Sequence, residues 1–365
     1  MFVGMTNEIT PFHVTVDDAD IADLKERLAR TRWPERETDP SQGAQLDRVQ
    51  ALAEYWADGY DFGFVKRLNA FPQFRTEIGG LGIHFLHVRS ANPEARPLLV
   101  THGWPGSVVE FLKVLGPLSA DFHVVAPSLP GFGWSDKPSE TGWDVDRIAR
   151  AWDELMTRLG YERYGAQGGD WGATVTASLA RQFPEKIVGA HFTMAGVKLD
   201  DTTFDDPTPF EIKALADLTR HRTTGSGYRA LQDTRPQTPG YGLTDSPAGQ
   251  LAWIAEKFWT WTDPDHPLTD EEILDDISVY WFTATAVSSS RICWESSGLD
   301  AREVAVPSGV TIFPHEIVRP SKRWAEKRFT DLRWYDEVPR GGHFAAYEQP
   351  ELFVEQVRAF FSLLA

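Results

Sequence analysis

One strand–turn–helix segment constrains the fold of this chain more than any other, residues 161–172, which read YERYGAQGGDWG. A short strand-like run leads into a cluster of glycines, and the residues after it have a helical pattern that ends before Pro184. Gly168 and Gly172 bracket Asp170, as a sharp strand-to-helix turn requires, because its apex adopts unfavourable backbone angles. The plain alternative is a glycine-rich turn that carries a surface aspartate.

The turn has the form of a nucleophile elbow, Gly168-x-Asp170-x-Gly172, in which Asp replaces the usual Ser. A carboxylate is ionised at neutral pH and needs no base to activate it. It can displace a leaving group at a saturated carbon and form an ester, which water must then hydrolyse with the help of a base. The residue type therefore favours the opening of an epoxide or the loss of a halide over peptide cleavage.

Strands and helices alternate around this turn, which predicts a parallel sheet with its chemistry at the carboxyl ends of the strands. The predicted strands are 83–88, 98–101, 122–126, 163–166, 187–192, 309–313 and 331–335, and the predicted helices are 145–159, 173–183 and 350–364. Between 196 and 306 the strand patterns vanish, and Trp-rich helical segments at 251–261 and 270–295 predict a helical cap inserted into the core.

Residues 1–80 have helical rather than strand patterns. Asp17 or Asp18 can cap a first helix that stops before Pro34, and a second helix begins near Leu46. The apolar faces of these two helices carry Ile21, Leu24, Leu28, Val49, Leu52, Ala53 and Trp56.

Charge and cysteine usage limit the function classes. A net charge of −17 over 365 residues disfavours nucleic acid as a partner and favours neutral or cationic ligands. A single cysteine, Cys293, excludes an internal disulfide and fits a reducing cytoplasm. We see no signal peptide and no run of ~20 apolar residues, so we expect a cytoplasmic protein without a membrane anchor. The sequence is compatible with a homodimer but does not determine the oligomeric state.

In the order expected after a nucleophile elbow, an acid and then a histidine follow. His343 lies after the last predicted strand and before the last helix, and it would deprotonate the hydrolytic water. Its rival, His102, follows an early strand and is expected to brace a turn. For the acid that orients His343 we favour Glu316, which follows the strand at 309–313, over Glu295 at the end of a cap helix.

Two backbone N–H groups are expected to stabilise negative charge on an oxygen of Asp170 during ester hydrolysis. One belongs to Trp171, directly after the nucleophile, and the other to Trp104, in the loop His102-Gly103-Trp104-Pro105. Packing of Trp104 at a turn is compatible with this role.

Nine short segments spread along the chain form a combined motif set: 11–12 (PF), 23–24 (DL), 27–28 (RL), 31–34 (TRWP), 68–74 (LNAFPQF), 83–85 (IHF), 102–107 (HGWPGS), 168–172 (GGDWG) and 340–345 (RGGHFA). Through these segments, nearly the full length of the chain resembles the microsomal-type epoxide hydrolase family. The resemblance implies an α/β-hydrolase fold with a mostly parallel central sheet, an inserted helical cap and an N-terminal helical segment that wraps the outside. The corresponding divisions are 1–80 for the wrapping segment, 81–195 and 307–365 for the core, and 196–306 for the cap.

The resemblance also implies epoxide hydrolysis to a diol without a cofactor, with a small hydrophobic epoxide as substrate. Asp170, Glu316 and His343 would be nucleophile, orienting acid and base, and Pro105 matches a proline that is usually cis in this family. Trp104 and Trp171 would also contact the substrate.

Two cap tyrosines hold and protonate the epoxide oxygen in the resembled family. Tyr228 matches the first, but Cys293 stands at the position of the second and would contact the substrate there. A thiol is a weaker hydrogen-bond donor than a phenol and is shorter. Tyr280, on the same predicted helix but thirteen residues away, would be ~20 Å distant along the axis and cannot take that place.

Two other functions stay open at this point. A haloalkane dehalogenase shares the Asp elbow, although Trp104 occupies the loop position where a halide-binding Asn is common. A weakly active or non-catalytic homologue that binds a hydrophobic ligand is favoured only by Cys293.

Overall fold

A computed structural model of the chain describes residues 8–296, 298 and 301–364. Residues 1–7 lie outside the described residues. The prediction that the N-terminus carries no signal peptide falls on them. A single nine-stranded sheet with the order β1-β2-β3-β5-β4-β6-β7-β8-β9 runs through the described part. The strands are β1 Thr10–Phe12, β2 Gln73–Ile78, β3 Leu81–Val88, β4 Arg96–Thr101, β5 Phe122–Pro127, β6 Tyr164–Gly168, β7 Ile187–Phe192, β8 Ser308–Ile312 and β9 Leu332–Glu337.

The sheet is mostly parallel, as predicted. The pairs from β5 through β4, β6, β7 and β8 to β9 are parallel, whereas β1, β2, β3 and β5 pair antiparallel. Every residue of β5, β6 and β8 is buried, because helices cover both faces of a parallel sheet. The carboxyl ends of β4, β6 and β8 therefore share one edge, and the loops that follow these strands meet there.

Fifteen α-helices surround the sheet or form the cap in the described part of the chain. Those outside the cap are α1 Asp18–Ala29, α2 Leu46–Glu54, α3 Phe64–Asn69, α4 Leu112–Ser119, α5 Val145–Arg158, α6 Asp170–Gln182, α13 Lys322–Ala325, α14 Ala345–Glu348 and α15 Pro350–Ser362. Those of the cap, between β7 and β8, are α7 Pro209–Arg220, α8 Gly227–Thr234, α9 Gln237–Asp245, α10 Pro247–Trp261, α11 Asp270–Phe282 and α12 Ala286–Glu295.

The N-terminal segment is not helical throughout, which corrects the prediction for residues 1–80. Its two predicted helices are present as α1 and α2, but β1 and β2 add two strands to the sheet. The six residues of β2 alternate only weakly between apolar and polar, so the strand could not be predicted from the sequence without knowledge of its partner β3. Asp17 occupies the N-cap of α1, but its side chain makes no capping hydrogen bond.

The predicted cap helix over 270–295 is two helices, and that prediction is wrong. α11 ends at Phe282, and Ala284 has a φ of 50°, in the left-handed region, before α12 begins. A non-glycine residue at such a φ interrupts the helical hydrogen bonds and changes the chain direction. The separation along one helix axis that was expected between Tyr280 and Cys293 therefore does not apply. Within the described residues, no helix combines the length and the apolar character that crossing a membrane requires.

Candidate active site

Asp170 stands at the turn between β6 and α6, in the strained backbone expected of the elbow. β6 ends at Gly168, α6 begins at Asp170, and the φ of Asp170 is 48°. A Cβ on Gly172 would lie 1.9 Å from the carbonyl oxygen of Thr101, so only glycine allows β4 and the first turn of α6 to approach this closely. The turn therefore holds the Asp170 side chain at the carboxyl edge of the sheet.

Two backbone N–H groups bind the Asp170 carboxylate. The N–H of Trp104 donates to Asp170 Oδ1 over 2.8 Å, and the N–H of Trp171 also donates to this carboxylate. The peptide bond between Trp104 and Pro105 is cis. A Cβ on Gly103 would lie 2.3 Å from Asp170 Oδ1, which shows how tightly this loop encloses the carboxylate. Both groups predicted to form an oxyanion hole thus contact the predicted nucleophile.

His343 lies between the carboxylates of Asp170 and Glu316, the two residues predicted to act with it. Its Nδ1 is 2.8 Å from Glu316 Oε1, and its Nε2 is 3.6 Å from Asp170 Oδ2. Glu316 is 3% exposed and follows β8. The rival residues make other bonds. Glu295 accepts the N–H of Gly142, and His102 joins two loops by contacts of its ring nitrogens with Gly103 O and Leu129 N–H.

The loop of His343 is fixed by the end of the cap. The N–H of His343 donates to Trp261 O over 2.9 Å, and the N–H of Gly341 donates to Asp263 Oδ2 over 2.9 Å. A Cβ on Gly342 would lie 2.4 Å from Trp261 O. Since Trp261 ends α10, the cap helps to position the histidine.

The charges of the three side chains depend on one another. Burial raises the pKa of Asp170, while the positive charge of His343 and the two N–H groups lower it. Burial lowers the pKa of His343, but the charge of Glu316, the hydrogen bond to it and the charge of Asp170 outweigh this effect and raise the pKa to about 9. The geometry therefore favours an Asp170 anion beside a protonated His343.

Tyr228 is enclosed by aromatic rings above the nucleophile. Its ring stacks on that of Trp104, with centroids 4.9 Å apart and planes 10° apart, and its centroid is 5.4 Å from that of Trp261. The ammonium of Lys257 lies 4.6 Å from the Tyr228 ring centroid. Burial, followed by the charge of Asp170, holds the pKa of Tyr228 well above its usual value, so its hydroxyl remains a donor.

Cys293 is bound to a cap glutamine. It is 1% exposed, and its Sγ donates to Oε1 of Gln232 over 3.1 Å. Gln232 is fully buried one helical turn after Tyr228, and its Nε2 has no hydrogen-bond partner among the residues that the structure describes. Burial raises the pKa of Cys293 to about 12, so the sulfur keeps its proton.

Two further cap residues contact the core: Arg229 packs on Trp171, and Tyr280 binds the loop that carries Trp104. The guanidinium of Arg229 lies 4.7 Å from the Trp171 ring centroid. The hydroxyl of Tyr280 donates to Gly106 O over 2.9 Å, in the loop that carries Trp104. Tyr280 therefore braces that loop.

Sequence reasoning missed several residues around the site. Glu110 and Gln232 are both buried there, and Trp261 positions the loop of His343. The spacing of four between Tyr228 and Gln232 on one helix could have identified the glutamine. Across residues 8–296, 298 and 301–364, no group of three or more His, Cys, Asp or Glu side chains is arranged to hold a metal ion.

Comparisons with known proteins cover nearly the whole chain. The family described as "Epoxide hydrolase N terminus" matches residues 9–111, and the family described as "alpha/beta hydrolase fold" matches residues 96–244. A protein of Stigmatella aurantiaca, named as a candidate epoxide hydrolase, is 51% identical over 98% of this chain and 85% of its own length.

Two solved structures have the same architecture along their whole length. Juvenile hormone epoxide hydrolase from the silkworm Bombyx mori superposes with a TM-score of 0.92 at 32% identity, over 99% of this chain and 95% of that one. An epoxide hydrolase of Aspergillus niger superposes with a TM-score of 0.93 at 30% identity, over 99% of this chain and 98% of that one. The relationship therefore includes the N-terminal segment and the cap.

Proposed function

The chain belongs to the epoxide hydrolase family within the α/β-hydrolase superfamily and is a hydrolase, and from that premise we propose that it converts epoxides to vicinal diols through an ester on Asp170. The observation that carries this proposal is the set of contacts around Asp170. Two backbone N–H groups bind its carboxylate, and a histidine–carboxylate pair lies 3.6 Å away. Such a set suits a nucleophile whose ester must afterwards be hydrolysed.

In the first step, Asp170 attacks an epoxide carbon. We assign Oδ2 as the attacking oxygen, since Oδ1 accepts the N–H of Trp104. The new bond joins Oδ2 to carbon, the carbon–oxygen bond of the epoxide breaks, and the hydroxyl of Tyr228 gives its proton to the released oxygen. No base is needed, because the carboxylate is already ionised.

In the second step, His343 has released to solvent the proton that it holds in the free enzyme, and it takes a proton from the water that attacks the ester carbon; it recovers a proton from solvent once Asp170 is again a carboxylate. The charge on the former carbonyl oxygen is stabilised by the N–H groups of Trp104 and Trp171. When the tetrahedral species collapses, the alkyl oxygen leaves with the proton held by His343 and the diol is complete. The remaining proton of the water returns to Tyr228, and Asp170 is again a carboxylate.

Ester formation itself prepares His343 for this role. The negative charge of Asp170 is one of the causes that raise the pKa of His343 in the free enzyme. An ester is neutral, so alkylation of Asp170 removes that contribution while burial continues to lower the pKa. The histidine therefore becomes a better base at the stage when a base is required.

For the substrate we propose a neutral epoxide with a hydrophobic substituent. The cap side of the nucleophile presents the rings of Trp104, Tyr228 and Trp261, and the overall charge of −17 disfavours anions. The related silkworm protein is named for juvenile hormone epoxide. That compound belongs in a panel of alkyl, aryl and bulky epoxides, which would define the substrate preference of this chain.

A single turnover in heavy-oxygen water tests the proposal. With enzyme in excess, the first diol should contain no label, and the label should appear in the Asp170 carboxylate when the peptide is analysed by mass spectrometry. Label in the first diol would exclude the ester route. Halide release from haloalkanes without diol formation from any epoxide in the panel would favour a dehalogenase instead.

A further inference from the structure

A small cavity lies beside the nucleophile, and none of its lining residues belongs to the cap. Its volume is about 30 Å³, and Gly103, Gly169, Asp170 and His343 are among the residues that line it. A space needs ~10–15 Å³ of this kind to hold one water. The cavity therefore has room for one or two waters but not for a substrate, next to both groups that act in ester hydrolysis.

Five further polar side chains line this cavity, and three of them, Thr101, Gln167 and Glu110, bear on how a water would be held there. Thr101 and Gln167, at the ends of β4 and β6, are each 1% exposed, and Thr101 Oγ1 and Gln167 Oε1 have no hydrogen-bond partner within the described part of the chain. Glu110 is the third, 9% exposed. Buried polar atoms without a protein partner are costly unless water satisfies them, and a bound water needs two to four such partners.

Glu110 is held close to the catalytic pair. Its Oε1 lies where a side chain on Gly106 would have to be, 1.4 Å from an added Cβ, and the N–H of Ser107 donates to its carboxyl group. The groups that act on its charge are Asp276, His343 and Asp170, and Glu110 in turn is among the charges that act on His343. A carboxyl group is thus fixed beside the cavity without belonging to the pair of Glu316 and His343.

We propose that this cavity binds the hydrolytic water and that Glu110 is a positioning residue which, with Thr101 and Gln167, orients it toward the ester carbon of Asp170. This inference rests on the proposed function. One hydrogen of the water is directed to His343 Nε2, the other is shared between Glu110 and Gln167, and the Thr101 hydroxyl donates to the water oxygen. His343 Nε2 removes one proton as the oxygen bonds to Asp170 Cγ, and the later steps are those of the ester route.

The proposal predicts an effect on one step only. Glu110→Gln replaces one carboxyl oxygen by a nitrogen that can only donate, and Thr101→Val removes a hydroxyl at nearly constant shape. Each variant should slow ester hydrolysis about ten- to hundredfold, since misplacing a reacting group costs up to about 10²-fold. Alkylation of Asp170 should stay within about twofold of wild type, because the water is not involved in it.

Rapid quenching followed by intact-mass measurement gives both rates, using one small aryl epoxide. In steady state kcat and KM should fall together, with kcat/KM unchanged and the alkylated fraction raised. General damage to the site would lower kcat/KM instead. Thr176→Val is the matched control, since Thr176 is also buried with an Oγ1 that lacks a described partner but does not line the cavity. Asp276→Asn alters the other buried carboxyl group near Glu110, which accepts the Ser107 hydroxyl, and both controls should keep the wild-type rate.

The outcomes separate the two proposals. If wild type forms an ester that Glu110→Gln and Thr101→Val hydrolyse at the wild-type rate, the inference about the cavity is wrong and the ester route stands. If both rates fall equally, Glu110 acts on the nucleophile and the inference is also wrong. Should Glu110→Gln fail to fold, Thr101→Val alone decides. If neither wild type nor His343→Gln ever carries the adduct, the ester route fails and the water site fails with it.

Discussion

The core side and the cap side of the active site differ in how their polar groups are paired. On the core side, Asp170, His343 and Glu316 form a continuous set of contacts that two backbone N–H groups complete. On the cap side, Tyr228 is held by stacked rings, and the second cap position carries Cys293 bonded to Gln232.

This difference would separate the two steps of the proposed mechanism. Hydrolysis of the ester would depend on loops that follow the strands of the sheet, whereas protonation of the epoxide oxygen would depend on one face of the cap. The Cys293 thiol donates to the Gln232 side chain instead of to a ligand, so we expect Tyr228 to be the dominant donor. On the core side, turnover should therefore fall when any of Asp170, His343 or Glu316 is replaced. On the cap side, it should fall mainly when Tyr228 is replaced.

The largest effect should come from the core side, with His343→Gln. Turnover should fall about 10²–10⁴-fold, the usual contribution of a general base, while Asp170 still becomes alkylated. Intact mass should show one epoxide bound per chain for much longer than in wild type. His13→Gln changes an exposed histidine directly after β1 and should behave as wild type. A variant that neither turns over nor becomes alkylated would contradict the separation of roles.

The next largest effect should come from the cap side, with Tyr228→Phe. In the proposed mechanism the phenol protonates the epoxide oxygen, and losing one such donor costs about 10²–10³-fold in rate. The alkylation rate, measured by rapid quenching, should fall by this amount, while an ester once formed should hydrolyse normally. Tyr241→Phe removes a hydroxyl from a tyrosine that is 74% exposed and serves as the control. Near-full alkylation by Tyr228→Phe would mean that another group protonates the oxygen.

A smaller effect on the core side should appear in the dependence of alkylation on pH. Asp170 must be ionised to attack, and burial raises its pKa, so kcat/KM should fall as the pH decreases through a midpoint above that of an exposed aspartate. The positive charge of His343 lowers the pKa of Asp170, so its removal in His343→Gln should raise that pKa. As the pH decreases, the alkylation rate of this variant should therefore begin to fall at a higher pH than that of wild type. An unchanged midpoint would show that the two charges are not coupled.

The smallest effect on catalysis should come from Cys293→Ala. Alkylation should stay within about threefold of wild type, because the thiol is bonded to Gln232. Stability should fall by about 1–2 kcal/mol, since the substitution leaves the buried Gln232 oxygen without its donor, and denaturant unfolding measures this loss. Cys293→Ser keeps a donor there and should lose less stability. A large loss of alkylation in the alanine variant would mean that the thiol acts on the substrate.

Several features of the site could be predicted from the chain because each is a local pattern. The elbow at Asp170 is contained in five residues, and the positions of His343 and Glu316 follow from their places after predicted strands. The two N–H groups also follow from sequence neighbours, since Trp171 is adjacent to the nucleophile and Trp104 lies in a recognisable loop.

Other features could not be predicted, because they depend on contacts between distant segments. The strands β1 and β2 are short and gain their hydrogen bonds only by pairing with each other and with β3. The break between α11 and α12 occurs at Ala284, which has no glycine or proline to mark it. The bond between Cys293 and Gln232 joins two helices that are 61 residues apart in the chain.

The sequence by itself determined the chemistry of the proposed nucleophile, the order of the proposed catalytic residues and the alternation that produces a parallel sheet. These properties are set by residue type and by spacing over a few residues, and packing does not alter them. Only the tertiary structure decided which buried polar atoms face one another. Glu110, Thr101 and Gln167 meet beside Asp170 because the ends of β4 and β6 are neighbours in the sheet and the loop after β4 turns back onto them, a proximity that no local pattern encodes.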